Sequence, residues 1–171
     1  TSKIRSADDL AAIRTLGFRG EALPSIASVS HFVLRTRPRG QASGTEIRVN
    51  GGAVASVVEA AASEGTTSEV NDLFYNMPAR RKFLKSDAAE SAQVSRVTTQ
   101  LALAYPEIGF TLTSAGRKVI QCPPAHSLRD RLYQLYGDRD ELLEVHRESA
   151  GLRLSGYIAA LAEQGPVRGP Q

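Results

Sequence analysis

Between Val29 and Phe32 the hydrophobic period of this chain changes, and that change constrains the fold more than any other feature of the sequence. Before it, Ile26 and Val29 recur at helical spacing, so a helix is expected to start near Gly20. After it, Phe32-Val33-Leu34 runs to a break at Arg37-Pro38-Arg39-Gly40, and Thr45 to Val49 alternates up to Asn50-Gly51. Val54 to Val57 follows at once. Asn-Gly between alternating runs signals a β-hairpin, because both residue types tolerate the positive φ of a two-residue turn. Thr67 to Val70, arriving after Gly65-Thr66, reads as a further strand. Upstream, Ser6-Ala7-Asp8-Asp9 fits a capping box, with Leu10 and Ile13 at helical spacing and Gly17 as the stop.

Pro78 suits the first turn of a short helix carrying Arg80, Arg81, Lys82 and Lys85. A longer helix follows, with Asp87 and Glu90 as its cap and Val94, Val97, Leu101 and Ala104 on one face. Tyr105-Pro106 ends it, and a domain boundary is expected there. Phe110 to Leu112 and Lys118 to Ile120 flank Ala115-Gly116 as a second hairpin. Ser127 to Asp130 opens a helix lined by Leu128, Leu132, Leu135 and Tyr136 and closed by Gly137. Strand-like runs at Leu142 to His146 and Leu152 to Ile158 precede a polar tail. This order predicts an α+β architecture with largely antiparallel sheets.

Composition excludes little but bounds the chemistry. In 171 residues no apolar run approaches the roughly 20 that a membrane span requires. No signal peptide is expected, since Thr1-Ser2-Lys3-Ile4-Arg5 leads into a capped helix, and a start other than Met is consistent with a piece of a longer gene product. Cys122 is the single cysteine, so an internal disulfide and a multi-cysteine zinc site are excluded. His31, His126 and His146 lack metal-ligand spacing and read as structural; Phe74 and Tyr75 read as core. A formal charge of +3 makes anionic partners plausible without requiring them.

Gly17-Phe18-Arg19-Gly20-Glu21-Ala22-Leu23 carries the most chemistry. Two glycines let backbone approach a ligand, and a helix starting at Glu21 would offer free N–H groups and a positive end to phosphate, with Arg19 beside it. A Gly-x-x-Gly before a helix is more often only a tight loop, and the residues alone leave both readings open.

This segment, GFRGEAL, resembles the signature of the MutL family of DNA mismatch repair proteins. The run from Gly65 to Val70, through Asp72 to Asn76 and on from Pro78 to Leu84, resembles the same family, as does the opening Thr1-Ser2-Lys3-Ile4. The matches are in order and cover nearly the whole chain, weakening after Pro106. Met77 stands where the family usually has threonine, and Pro24 where a small residue is commoner.

The resemblance implies the C-terminal part of a GHKL (Bergerat) ATPase α/β sandwich over residues 1–105. A ribosomal-S5-like transducer domain would begin over 106–171. It implies that Thr1, Ser2 and Lys3 belong to an ATP lid, that Gly17, Phe18, Arg19, Gly20, Glu21, Ala22 and Leu23 face the phosphates of ATP, and that Thr66 lies near the adenine. The family's catalytic glutamate, its asparagine for Mg2+ and its adenine-reading aspartate lie upstream of the lid, so no catalytic residue or metal ligand is expected in these 171 residues. Glu21 is expected to act on the helix dipole and not as a base.

Arg80, Arg81, Lys82 and Lys85 are candidates for weak, non-specific contact with DNA phosphates, although such a face is commonly just solvated. The implied partners are ATP, DNA, a second copy or a paralogue as dimer, the mismatch-recognition protein MutS, and a downstream nuclease or helicase, with no membrane. Localisation would be cytoplasmic and nucleoid-associated in a bacterium, nuclear in a eukaryote. Two rival readings are another GHKL protein, such as a topoisomerase ATPase subunit, and a non-enzymatic basic nucleic-acid-binding module. The Phe74 to Leu84 run argues against the first.

Overall fold

The computed structural model describes residues 16–137 and 142–159, with Ile4, Asp8, Asp9 and Ile13. Thr1, Ser2 and Lys3, nearly all of the expected first helix and the polar tail lie outside the described residues. The chain divides into two compact units between Leu84 and Lys85.

The first unit is a four-stranded sheet of β1 (His31–Arg37), β2 (Gly44–Asn50), β3 (Ala53–Ala60) and β4 (Gly65–Asn71), in the order β3-β2-β1-β4 with every neighbour antiparallel. Register decides its two faces. Phe32 lies opposite Val49 and Leu34 opposite Ile47, so the two-residue period puts all four on one face. The short helix α1 (Ala22–Ala27) supplies that face with Ala27 and Ile26 and completes a small apolar core. The opposite face carries Arg35 opposite Glu46, and Arg48 and Glu69 opposite Val33. Gly51 and Gly52, at φ +57° and +92°, make the hairpin turn that Asn50-Gly51 announces.

Helix α1 begins at Ala22 instead of Gly20 and stops before Val29. Serine hydroxyls account for the early stop. Ser28 Oγ donates to the Ser25 carbonyl at 2.8 Å and Ser30 Oγ to the Ile26 carbonyl at 2.8 Å, occupying acceptors near the helix end. After β4, Asp72 and Phe74 both have positive φ, and Phe74 N–H donates to the Val29 carbonyl at 2.7 Å. That turn leads to helix α2 (Pro78–Arg81), which has proline in its first turn as expected.

The second unit holds helix α3 (Asp87–Ala104), the hairpin β5 (Phe110–Ser114) with β6 (Arg117–Cys122), helix α4 (Leu128–Tyr136), and the hairpin β7 (Leu142–Ser149) with β8 (Leu152–Ala159). The N-cap of α3 is Ser86 and not Asp87: its Oγ accepts from Ala89 N–H, while Glu90 accepts from Lys85 N–H at 2.9 Å. The compact division falls before α3. Val94 and Val97, expected on its apolar face, are 51% and 45% exposed, and the buried residue is Ala102. Small and hydroxylic side chains, Ser95 and Thr99, line a cavity of about 260 Å³ with β6 and the end of α4.

Arg131 of α4 is fully buried in this unit. Its Nη2 donates to the Pro106 and Ile108 carbonyls, each at 2.6 Å, and Nη1 reaches the Cys122 carbonyl at 3.5 Å. A guanidinium is the one side chain that can bind three carbonyls from a planar fork, which ties the turn after α3 to β6 and α4.

Candidate functional site

Residues Leu16 to Ser25 curl around an open cavity of about 650 Å³. The expected phosphate-facing residues Gly17, Phe18, Arg19, Gly20, Glu21, Ala22 and Leu23 all line it. Gly20 has φ +68°, a conformation that side chains with a β-carbon rarely take, and a β-carbon at Gly17 would meet nothing within 4 Å. Glu21 occupies the N-cap of α1, and its carbonyl accepts from Ser25 N–H at 3.0 Å; its side chain caps nothing. Pro24 sits in the first turn, where a missing N–H is not needed. Arg19 lies over the Phe18 ring at 5.7 Å. Leu23 and Pro24 also border an apolar cavity of about 290 Å³ on the core face of the sheet, with Phe32, Leu34 and Ile47.

Thr66 lines a different cavity, of about 480 Å³, formed by the β1–β2 and β3–β4 connections. Its Oγ1 is 2.9 Å from Thr36 Oγ1, and Thr36 Oγ1 also lies 3.3 Å from the Gly65 carbonyl. The two threonines are a register pair between β1 and β4. Arg37 braces the same corner, donating to the Ala62 carbonyl at 2.6 Å and the Gln41 carbonyl at 2.8 Å. Thus the phosphate-loop candidates are brought together, while Thr66 stands in its own cavity within the same unit.

Arg80 and Arg81 lie on α2 and Lys82 is its C-cap; all three are exposed, and Lys85 opens the second unit. Among the described residues none of the four has an ion-pair partner. Phe83, between them in sequence, is 85% exposed. Tyr75, expected in the core, is instead at the surface, stacked on His31 with ring centroids 4.2 Å apart, while Phe74 is half-buried. His31 Nδ1 is 3.0 Å from Asn50 Oδ1.

Charge concentrates on the outer face of the sheet. Arg35 bridges Glu46 and Glu69, and Arg48 Nε donates to Glu46 Oε1 at 2.7 Å. Hydrogen bonds from Arg35, then from Arg48, hold the Glu46 carboxyl below the usual glutamate range. Among the described residues no three His, Cys, Asp or Glu side chains gather as a metal site. Nor is any described helix long and apolar enough to cross a membrane.

Thr36 and Arg131 escape a reading of the sequence. Each acts through partners 25 or 30 residues away, and nothing local marks such pairing.

No protein-family model matches the chain. It is 46% identical over 160 residues to the DNA mismatch repair protein MutL of Desulforudis audaxviator, a match covering 92% of this chain and 28% of that protein. It is 50% identical over 137 residues to the MutL of Acidobacterium capsulatum, covering 80% of this chain and 21% of the relative. The chain thus spans less than a third of the length of these curated relatives. In fold it is similar to the Aquifex aeolicus MutL ATPase domain complexed with ADP, with a TM-score of 0.76 and 33% identity over 95% of this chain and 62% of that one.

Proposed function

Because this chain belongs to the MutL family over the span it shares with those relatives, we propose that it contributes the phosphate-facing loop of an ATP-hydrolysing mismatch repair protein. The observation that carries this reading is the Leu16 to Ser25 loop: a concave stretch of backbone, with Gly20 at φ +68° in front of α1, lined throughout by the GFRGEAL residues. Backbone N–H groups there would hold the nucleotide's phosphates, and Arg19 would add charge beside them. Thr1, Ser2 and Lys3 would serve the lid, and Thr66 the adenine side. Residues 1–105 would then belong to the ATPase domain, and 106–171 would start an S5-like transducer domain.

In the full-length protein, nucleotide binding would close the lid and bring two N-terminal halves together, and hydrolysis would release them. The cycle would couple recognition of a mismatch by MutS to strand processing by a nuclease or helicase. Binding free energy then performs its function through the difference in affinity between open and closed states. Mg2+ would supply charge neutralisation at the phosphates, held by the family's asparagine upstream of the lid. Arg80, Arg81, Lys82 and Lys85 would add weak contacts to DNA phosphates.

Phosphate release measured on these 171 residues, beside the same chain extended upstream, tests the reading. Turnover is expected only in the extended protein, since an oriented water, a base and a metal are needed together. There, Gly20→Val should weaken nucleotide binding, because φ +68° disfavours a β-branched residue and the loop backbone lining the cavity would have to shift. Magnesium-dependent turnover by the short chain, or unchanged affinity in the valine variant, would overturn the placement of the site.

A further inference from the structure

Thr36 and Thr66 face each other across β1 and β4, and their hydroxyls share one hydrogen bond of 2.9 Å. Each hydroxyl has a single proton to give. Thr36 Oγ1 also lies 3.3 Å from the Gly65 carbonyl, which can only accept. Both contacts form together in just one arrangement: Thr36 donates to Gly65, and Thr66 donates to Thr36. The proton of Thr66 is then committed, and its oxygen offers only lone pairs to the 480 Å³ cavity that it lines.

We propose that Thr36 is a positioning residue, which by accepting the Thr66 proton fixes the Thr66 oxygen as an acceptor toward the amino-bearing edge of a nucleobase. This rests on the reading that Thr66 lies at the adenine side of the nucleotide. An acceptor-only oxygen favours a ligand edge that donates to it directly, such as the 6-amino group of adenine. It disfavours the 6-oxo group that replaces that amine in hypoxanthine, because two acceptors then face each other. Discrimination would come from a proton held in place by Thr36, which borders the same cavity.

The sheet supports this role. Thr36 sits on the central strand β1, with Thr45 of β2 as its register partner on the other side. Arg37, next in sequence, is anchored to two backbone carbonyls. The Thr36 hydroxyl is therefore carried on a paired, braced segment, whereas Thr66 follows Gly65, at φ +109°, on an edge strand.

The test compares the affinities of ATP and inosine triphosphate for the full-length protein carrying this segment, by calorimetry, in four forms: unmodified, Thr36→Val, Thr36→Ser and Thr66→Val. Valine keeps the β-branched shape but removes the acceptor, freeing the Thr66 proton to point at a 6-oxo group. The preference for ATP over inosine triphosphate should fall about three- to tenfold in Thr36→Val, the worth of one hydrogen bond, and be kept in Thr36→Ser. A preference unchanged in Thr36→Val while Thr66→Val weakens ATP binding overturns the inference alone. ATP binding unchanged in Thr66→Val overturns the underlying placement of Thr66. Equal loss of both affinities in Thr36→Val, with the preference intact, marks a merely structural threonine and also overturns the inference.

Discussion

Arg131 Nη2 and the Pro106 carbonyl oxygen lie 2.6 Å apart, joining residues 25 positions apart in the chain. The guanidinium has no carboxylate within ion-pair reach among the described residues, and its Nε has no hydrogen-bond partner. Replacing Arg131 with Met would retain much of the buried volume but leave the Pro106 and Ile108 carbonyls unpaired. A loss of about 2–4 kcal/mol is expected, from the cost of orphaned buried acceptors. Urea unfolding checks it; a midpoint within error of the unmodified chain would show that water satisfies those carbonyls.

Gly51 meets Tyr75 in a second exacting contact. A β-carbon on Gly51 would lie 2.6 Å from the Tyr75 hydroxyl, at a φ of +57°. Gly51→Ala should therefore destabilise by about 1–2 kcal/mol, part backbone strain and part clash. Tyr75→Phe in the same chain removes the clashing oxygen and should recover the second part. No recovery in the double variant, by thermal melting, would leave backbone strain as the sole cause.

Glu46 gives the sheet a pH dependence with a defined sign. Its carboxyl is held below the ordinary value of 4.5, chiefly by Arg35 and then by Arg48. A carboxyl depressed by folding stabilises above its unfolded value and loses that contribution as pH falls through its folded value. Stability should thus decline from about pH 5 downward. In Glu46→Gln that decline should flatten, while stability at pH 7 drops. Parallel acid titrations of the two forms, followed by circular dichroism, would reject the idea.

Binding to DNA, where it occurs, should be insensitive to sequence and fall steeply with salt, as counterion release requires. Reversing Arg80, Arg81 and Lys82 to Glu should weaken it and lower the slope against salt by about one for each phosphate no longer neutralised. Fluorescence anisotropy at several salt concentrations reads both. An unchanged slope would remove α2 from the DNA-facing surface.

Turn chemistry and periodicity are legible in the residues. Ala115-Gly116, Ser127 and Gly137 mark their turn and cap positions, and Asn50-Gly51 marks its turn to within one residue, the turn being Gly51-Gly52, because each demand is local. The GFRGEAL segment is legible as a loop before a helix, and all seven residues do border one cavity. Pairing across distance is not. Thr36 resembles any strand threonine until β4 arrives beside it, and Arg131 reads as a charged position on an amphipathic helix. Helix α3 misleads for a related reason. Its most hydrophobic stripe, Val94 and Val97, reads as the buried one, yet the hairpin and α4 pack against its smaller side. Close approach there favours Ala102 over larger apolar side chains.

The strand order β3-β2-β1-β4 has a kinetic consequence. β1, β2 and β3 follow one another as neighbours, so their meander assembles across short turns. β4 must travel past β3 and dock on the far edge of β1, closing a loop of 30 residues at Thr36 and Thr66. Loop closure delays such pairing relative to local hairpins. The Thr36–Thr66 hydroxyl bond, on which the proposed base selectivity depends, is thus among the last contacts of the sheet to form.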